Sequence, residues 1–152
     1  MKSLNNQAHK QELLIRLRNI TPQNQRQWGS MTSHQMICHL NDSFKLAMGE
    51  RAVSAKTNIF TRTIMKWVAF KVPLKWPKGF RTRPEIDQQI GGTQPLDFEK
   101  DLTELKQLLD RFAQQERKFE WPVHPIFGRM TEEEWLRWGY LHVDHHLRQF
   151  GA

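Results

Sequence analysis

The chain has a single cysteine, Cys38, so no intramolecular disulfide is available to staple it. With 152 residues it needs none, since a domain of this length buries roughly 70% of its unfolded surface. Cys38 falls on a helical pattern, where packing outweighs reactivity as its expected role. No hydrophobic run is long enough to cross a bilayer. The segment Met1-Lys2-Ser3-Leu4-Asn5-Asn6-Gln7 has no apolar stretch of signal-peptide type. A soluble, cytoplasmic, single domain over residues 1–152 is therefore expected. Internal repeats and low-complexity tracts are absent. No segment alternates polar and apolar residues for long enough to build a sheet.

Acidic residues are missing from one long segment. From Arg51 to Arg83 there are nine Lys or Arg and no Asp or Glu, so the rest of the chain is net −2 against +7 overall. Trp67, Phe70, Trp76 and Phe80 are interleaved with those cations. The pattern reads either as a surface for an anionic partner or as a solvated excursion packed by its aromatics, the second being the simpler reading. No recognised nucleic-acid motif accompanies it, which makes nucleic acid the weaker partner.

Apolar periodicity places the helices. The first runs from about Gln7 to Asn19, with Leu13, Leu14, Leu17 and Ile20 inward, and ends at Thr21-Pro22. Thr32-Ser33-His34-Gln35 is a capping box that opens a second helix, with Met36, Leu40, Phe44 and Ala47 inward and Gly49 as its stop. Asn58 to Lys71 predicts an excursion helix with Ile59, Phe60, Ile64, Trp67 and Val68 inward. Four prolines and three glycines between Pro73 and Pro95 predict a long irregular connection, of a length that is often functional. Asp97 to Glu116 carries Phe98, Leu102, Leu105, Leu109 and Phe112 at spacings of four and three, the seam of an antiparallel bundle. Thr131-Glu132-Glu133-Glu134 is a second capping box, opening a last helix that runs to Phe150. The expected class is all-α: a four-helix up-and-down bundle with an excursion helix and a long Pro/Gly-rich loop.

The last helix carries His142-Val143-Asp144-His145-His146. His142 and His146, four residues apart, share one face with Trp135, Trp138, Gly139 and Phe150, while Glu133, Arg137, Tyr140, Asp144 and Arg148 fall opposite. Two imidazoles thus point where a core belongs. A buried histidine left unsatisfied costs about 1–3 kcal/mol. Satisfied structural histidines and a divalent metal are both solutions, and i,i+4 histidines are a common half-site. A third ligand must then come from a facing helix, and His39, at the border of the second helix's apolar face, is the best candidate. His34 falls outward; His9 and His124 read as surface or structural. His145 lies at the edge of the inward face and Gln149 one turn beyond His146, where either can support a ligand or meet a substrate. A peptidase of the His-Glu-x-x-His type is excluded because Val143 stands where the general base belongs.

Met36-Ile37-Cys38-His39-Leu40, followed by His142-x-x-His145-His146-x-x-Gln149, resembles the DinB-like (YfiT-like) metalloenzyme superfamily. Trp28-Gly29-x-Met31-Thr32, His124-Pro125-x-Phe127-Gly128 and His146-Leu147-Arg148-Gln149-Phe150-Gly151 are similar to an uncharacterised branch of it. The resemblance spans the chain. It implies a four-helix bundle with a divalent metal on His39, His142 and His146. Characterised members are thiol S-transferases acting with bacillithiol or a comparable thiol, and a mycothiol-dependent maleylpyruvate isomerase. Their common ending, His-Arg-Gly-Gln, is His146-Leu147-Arg148-Gln149 here, with the arginine displaced by one residue.

Three functions are therefore in view. The first is a metal-dependent enzyme with zinc, nickel or iron(II), a low-molecular-weight thiol and a small-molecule substrate, or a hydrolase at the same site. The second is a non-enzymatic bundle that binds an anionic partner through residues 51–83. The third is a bundle with an idle site. A homodimer is compatible with the sequence.

Overall fold

The structure is a computed structural model and describes residues 1–52, 66–70, 76–79 and 82–152. Its regular elements there are helical: α1 (Gln7–Leu17), α2 (Ser33–Ala47), α3 (Phe98–Phe112) and α4 (Glu132–Gln149), with a 3-10 turn at Pro84–Ile86. No strand occurs among the described residues, and an isolated bridge pairs His124 with Gly128. No described helix is long and apolar enough to cross a membrane.

Both expected capping boxes are formed. The Thr32 hydroxyl accepts from the Gln35 amide at 3.1 Å while the Gln35 side chain accepts from the Thr32 amide at 2.9 Å. Thr131 and Glu134 make the same exchange at the start of α4. Each pair satisfies two backbone donors that the helix cannot. Asn6 and Asp97 cap α1 and α3. Gly49, just past α2, takes the left-handed conformation that closes a helix (φ 77°).

Side-chain contacts show the order of the helices in space. His34, Asn41 and Lys45 of α2 meet Asp101 and Glu104 of α3, and Glu50 beyond α2 meets Arg111, so these two helices run parallel. Tyr140 and Asp144 of α4 meet Glu12 and Arg16 of α1, a second parallel pair. His39 meets His142 and Phe44 meets Trp138, so α2 and α4 are antiparallel. Simple up-and-down alternation therefore does not describe these four helices: α2 and α3 point the same way. The start of α3 therefore lies at the same end of the pair as the start of α2.

The core lies between these pairs. Twelve of the fifteen α2 residues are buried, which makes it the central helix. Phe44 stands edge-on to Phe112 and Trp138, at centroid distances of 4.9 and 5.7 Å. Helix α4 is covered on more sides than its polar residues suggested. Arg137 and Tyr140 are buried: the Arg137 guanidinium donates to the carbonyls of Phe70 and Lys2, and the Tyr140 hydroxyl donates to Glu12. Of the excursion helix, residues 66–70 are described and helical, and the rest lies outside the described residues. There Phe70 is the buried residue, whereas Trp67 and Val68, expected inward, are exposed.

Gly139 sits where α4 crosses this core. A Cβ there would lie 2.7 Å from Leu4 Cδ1 and 2.9 Å from the Phe112 ring. Gly139→Ala should gain about 1 kcal/mol in helix propensity. It should lose more to overpacking, which typically costs about 1–3 kcal/mol. A net fall in urea midpoint is expected; an unchanged or raised midpoint would mean that Leu4 and Phe112 move aside freely.

Candidate metal centre

Helix α2 presents His39, and α4 presents His142 and His146 from successive turns. The structure brings all three together: one ring nitrogen from each lies within 4.8 Å of the others. His39 and His146 are buried and His142 is nearly so. The Nε2 atoms of His39 and His142 are 3.2 Å apart. Bonds of about 2.05 Å at tetrahedral angles place ligand nitrogens about 3.3 Å apart. That pair is spaced as the ligands of a first-row divalent ion are, and the other two pairs lie within 4.8 Å.

Hydrogen bonds fix which nitrogen two of the rings offer. His39 Nδ1 is 2.9 Å from the Ile86 carbonyl, which only accepts, so Nδ1 carries the proton and Nε2 a lone pair. Gln149 donates its amide to the Trp28 carbonyl at 2.8 Å, which turns its Oε1 toward His146 Nδ1, also at 2.8 Å. His146 therefore donates from Nδ1, leaving Nε2 as a lone pair. Metal-binding histidines are typically oriented in this way. Space for Gln149 depends on Gly29, whose φ is 79° and whose Cβ would lie 2.6 Å from the Gln149 amide nitrogen. His142 Nδ1 is buried without a partner.

Burial lowers the pKa of all three rings. For His142 the neighbours His146 and His39 lower it further, and for His146 His39 and His145 do so. The Ile86 hydrogen bond and Asp42 oppose the effect at His39, and Gln149 opposes it at His146. Neutral imidazole is the form that binds metal.

The Ile86 carbonyl is itself held in place. Asp42, one turn after His39 and fully buried, accepts four hydrogen bonds. Arg51 Nη1 (2.8 Å) and the Thr93 hydroxyl (2.7 Å) reach one oxygen; Gln88 (2.9 Å) and the Thr93 amide (2.8 Å) reach the other. Arg51 also donates to the carbonyls of Glu85 and Gly91. A single carboxylate and a single guanidinium thereby strap residues 85–93 onto α2. Sequence reasoning missed this strap. The available signal was an acid one turn from His39 on a helix with an otherwise apolar inward row.

Residues 2–152 match a protein-family model described as "Protein of unknown function (DUF1569)". The chain belongs to the DUF1569 family. Searches of curated proteins and of solved structures find no match.

Of the remaining histidines of this DUF1569 protein, His145 abuts the trio, its ring centroid 5.2 Å from that of His146. His145 lies between Trp28 and Trp76, with centroids at 5.8 and 6.4 Å. Burial, then Arg148, lowers its pKa to about 4. Its Nδ1 is buried without a partner. His124 accepts from the amides of Ile126 and Phe127 at 3.1 Å each and packs on Trp135, a structural role; burial lowers its pKa to about 3. His9 accepts from the Ser3 amide. Gln149, expected to meet water or substrate, has both ends of its amide committed to His146 and Trp28.

The basic segment is partly absorbed by the fold. Arg51 belongs to the Asp42 strap, Lys66 pairs with Glu134 at 2.7 Å, and Lys78 stands over the Trp28 ring at 4.4 Å. Lys56, Arg62, Lys71, Lys75 and Arg81 lie outside the described residues.

Proposed function

We propose that this protein is a metal-dependent enzyme of DinB-like type: a four-helix bundle that holds zinc, nickel or iron(II) on His39, His142 and His146 and transfers a low-molecular-weight thiol to a small electrophile. One observation carries the reading. Three neutral imidazoles from two helices converge at metal-ligand spacing, and two of them are oriented by hydrogen bonds through their other nitrogen. Three protein ligands leave coordination positions open, as catalytic sites do and closed structural sites do not. When bound, the ion supplies a Lewis acid that lowers the pKa of a thiol or water.

The chain's own residues do the rest. Ile86 and Gln149 hold the rings so that little reorganisation accompanies binding. Trp76 and Trp138 flank His142, with centroids at 6.1 and 4.9 Å, and limit water around it. His145, between Trp28 and Trp76, packs beside His146 and helps to wall the site. The anionic-partner reading draws less support, because Arg51 and Lys66 already hold intramolecular partners.

Metal analysis of protein purified without a His-tag should find about one more ion per chain in wild type than in His142→Ala or His146→Ala. Equal content in all three would overturn the trio as a metal site. A loaded protein that conjugates no cysteine-derived thiol to a model electrophile would overturn the transferase while leaving the metal.

A further inference from the structure

We infer that the seam between α2 and α3 carries a second cation site, built from His34, Cys38 and Asp101 and suited to a borderline-soft divalent ion such as zinc. The residues come together for simple reasons. His34 and Cys38 are four apart on α2 and share the face turned to α3. Asp101 arrives beside them because the two helices run parallel and are locked in register. Asn41 donates to the Asp101 carbonyl at 2.9 Å and to Glu104 at 3.3 Å, and Lys45 pairs with Glu104 at 2.7 Å.

One ligand atom from each of the three residues lies within 4.8 Å of the others. Two donors aim at one oxygen: His34 Nε2 is 2.6 Å and Cys38 Sγ 3.5 Å from Asp101 Oδ2. Two protons thus occupy the space between a nitrogen, a sulfur and a carboxylate, and one divalent ion replaces both. Tetrahedral zinc separates sulfur and oxygen ligands by about 3.5 Å, the distance already present. It separates nitrogen and oxygen ligands by about 3.3 Å, so His34 and Asp101 must part by about 0.7 Å. Their side chains are 19% and 20% exposed, which permits that shift and gives an ion and a water ligand a way in. Cys38 is buried beneath them. A set containing thiol and imidazole selects against magnesium and calcium.

The site is separate from the histidine trio. His39 faces α4, whereas Cys38 faces α3. An ion here would tie together two helices that a long crossover separates in sequence, and it does not depend on the enzymatic reading.

Cobalt(II) tests it. Titration of metal-free wild type should give two equivalents bound and a near-ultraviolet thiolate-to-cobalt charge-transfer band. The band should persist in His142→Ala/His146→Ala, which empties the trio, and vanish in Cys38→Ser, which should still bind one equivalent without it. Asp101→Asn should weaken the sulfur site alone, read as a later saturation of the band. Folded wild type with no such band, or Cys38→Ser still binding two equivalents, would overturn the site and leave His34 and Asp101 as a hydrogen-bonded pair only. Failure of the trio would instead show as a band with a single equivalent, leaving this site standing.

Discussion

Lowering the pH from about 7 to about 5 is expected to remove several kcal/mol from the stability of the metal-free protein. Five buried or half-buried histidines carry the effect. His39, His124, His142, His145 and His146 all have pKa values lowered chiefly by burial, to about 3 for His124 and about 4 for His145. In the unfolded chain each titrates near 6.5. Above that value neither state binds the proton and the full stability is present. Below it the unfolded chain gains protons that the folded chain refuses, so stability falls with pH until the folded values are reached. Each independent group contributes about 1.4 kcal/mol per pH unit within its window. Four of the five rings touch one another, so their contributions do not simply add. Two acting independently would still remove about 4 kcal/mol at pH 5, from a total of roughly 5–15. Guanidinium midpoints measured from pH 8 down to 5 should drop steeply below about 6.5. A flat profile would mean that these rings are protonated, or reach water, in the native state. Saturating zinc should raise the midpoint at neutral pH and steepen the decline, because protons compete for the same nitrogens.

Cutting the strap between Asp42 and Arg51 should produce the second large effect. Asp42→Ala leaves Arg51, Gln88 and the Thr93 amide without their common acceptor. Breaking a buried pair from one side costs about 3–5 kcal/mol. Because the Arg51 side chain is 26% exposed, the lower end applies. That is about 3 kcal/mol, or a fall in Tm of about 6–12 °C for a domain of this size. Arg51→Ala should be milder in stability but should loosen residues 85–93 and with them the Ile86 carbonyl that orients His39. Zinc affinity measured by calorimetry, at a temperature where the variant is folded, should weaken about 10–100-fold, the range for groups that orient a metal ligand. Gln149→Ala, which acts on His146 instead, should weaken it comparably without the loss contributed by the strap. Wild-type affinity in Arg51→Ala would show that His39 is oriented without the loop.

Local features were legible in the sequence. Both capping boxes are short-range hydrogen-bond exchanges encoded within four residues, and they form as expected. The inward rows of α2 and α3 follow from spacing alone. His39, His142 and His146 were chosen because polar rings on an apolar face need a common partner, and the structure brings them together. Direction was not legible. An amphipathic row shows which side of a helix is buried but not which neighbour covers it, so the parallel pairing of α2 with α3 was missed. Arg137 and Tyr140 looked outward by residue type. Their long side chains bury a stem and pass a polar tip to the carbonyls of Lys2 and Phe70 or to Glu12, contacts made by distant segments. Arg51 was one of nine similar cations, and nothing local distinguished the one whose partner is buried.

The two parallel pairs bear on how quickly the chain can reach its native state. Arg16 joins Asp144 across 128 residues, and Asn41 joins Glu104 across 63. Neither pairing can form as a hairpin between consecutive helices. The chain must surrender the entropy of closing long loops before those contacts repay it, and such topologies collapse to their transition state more slowly than bundles of adjacent helices.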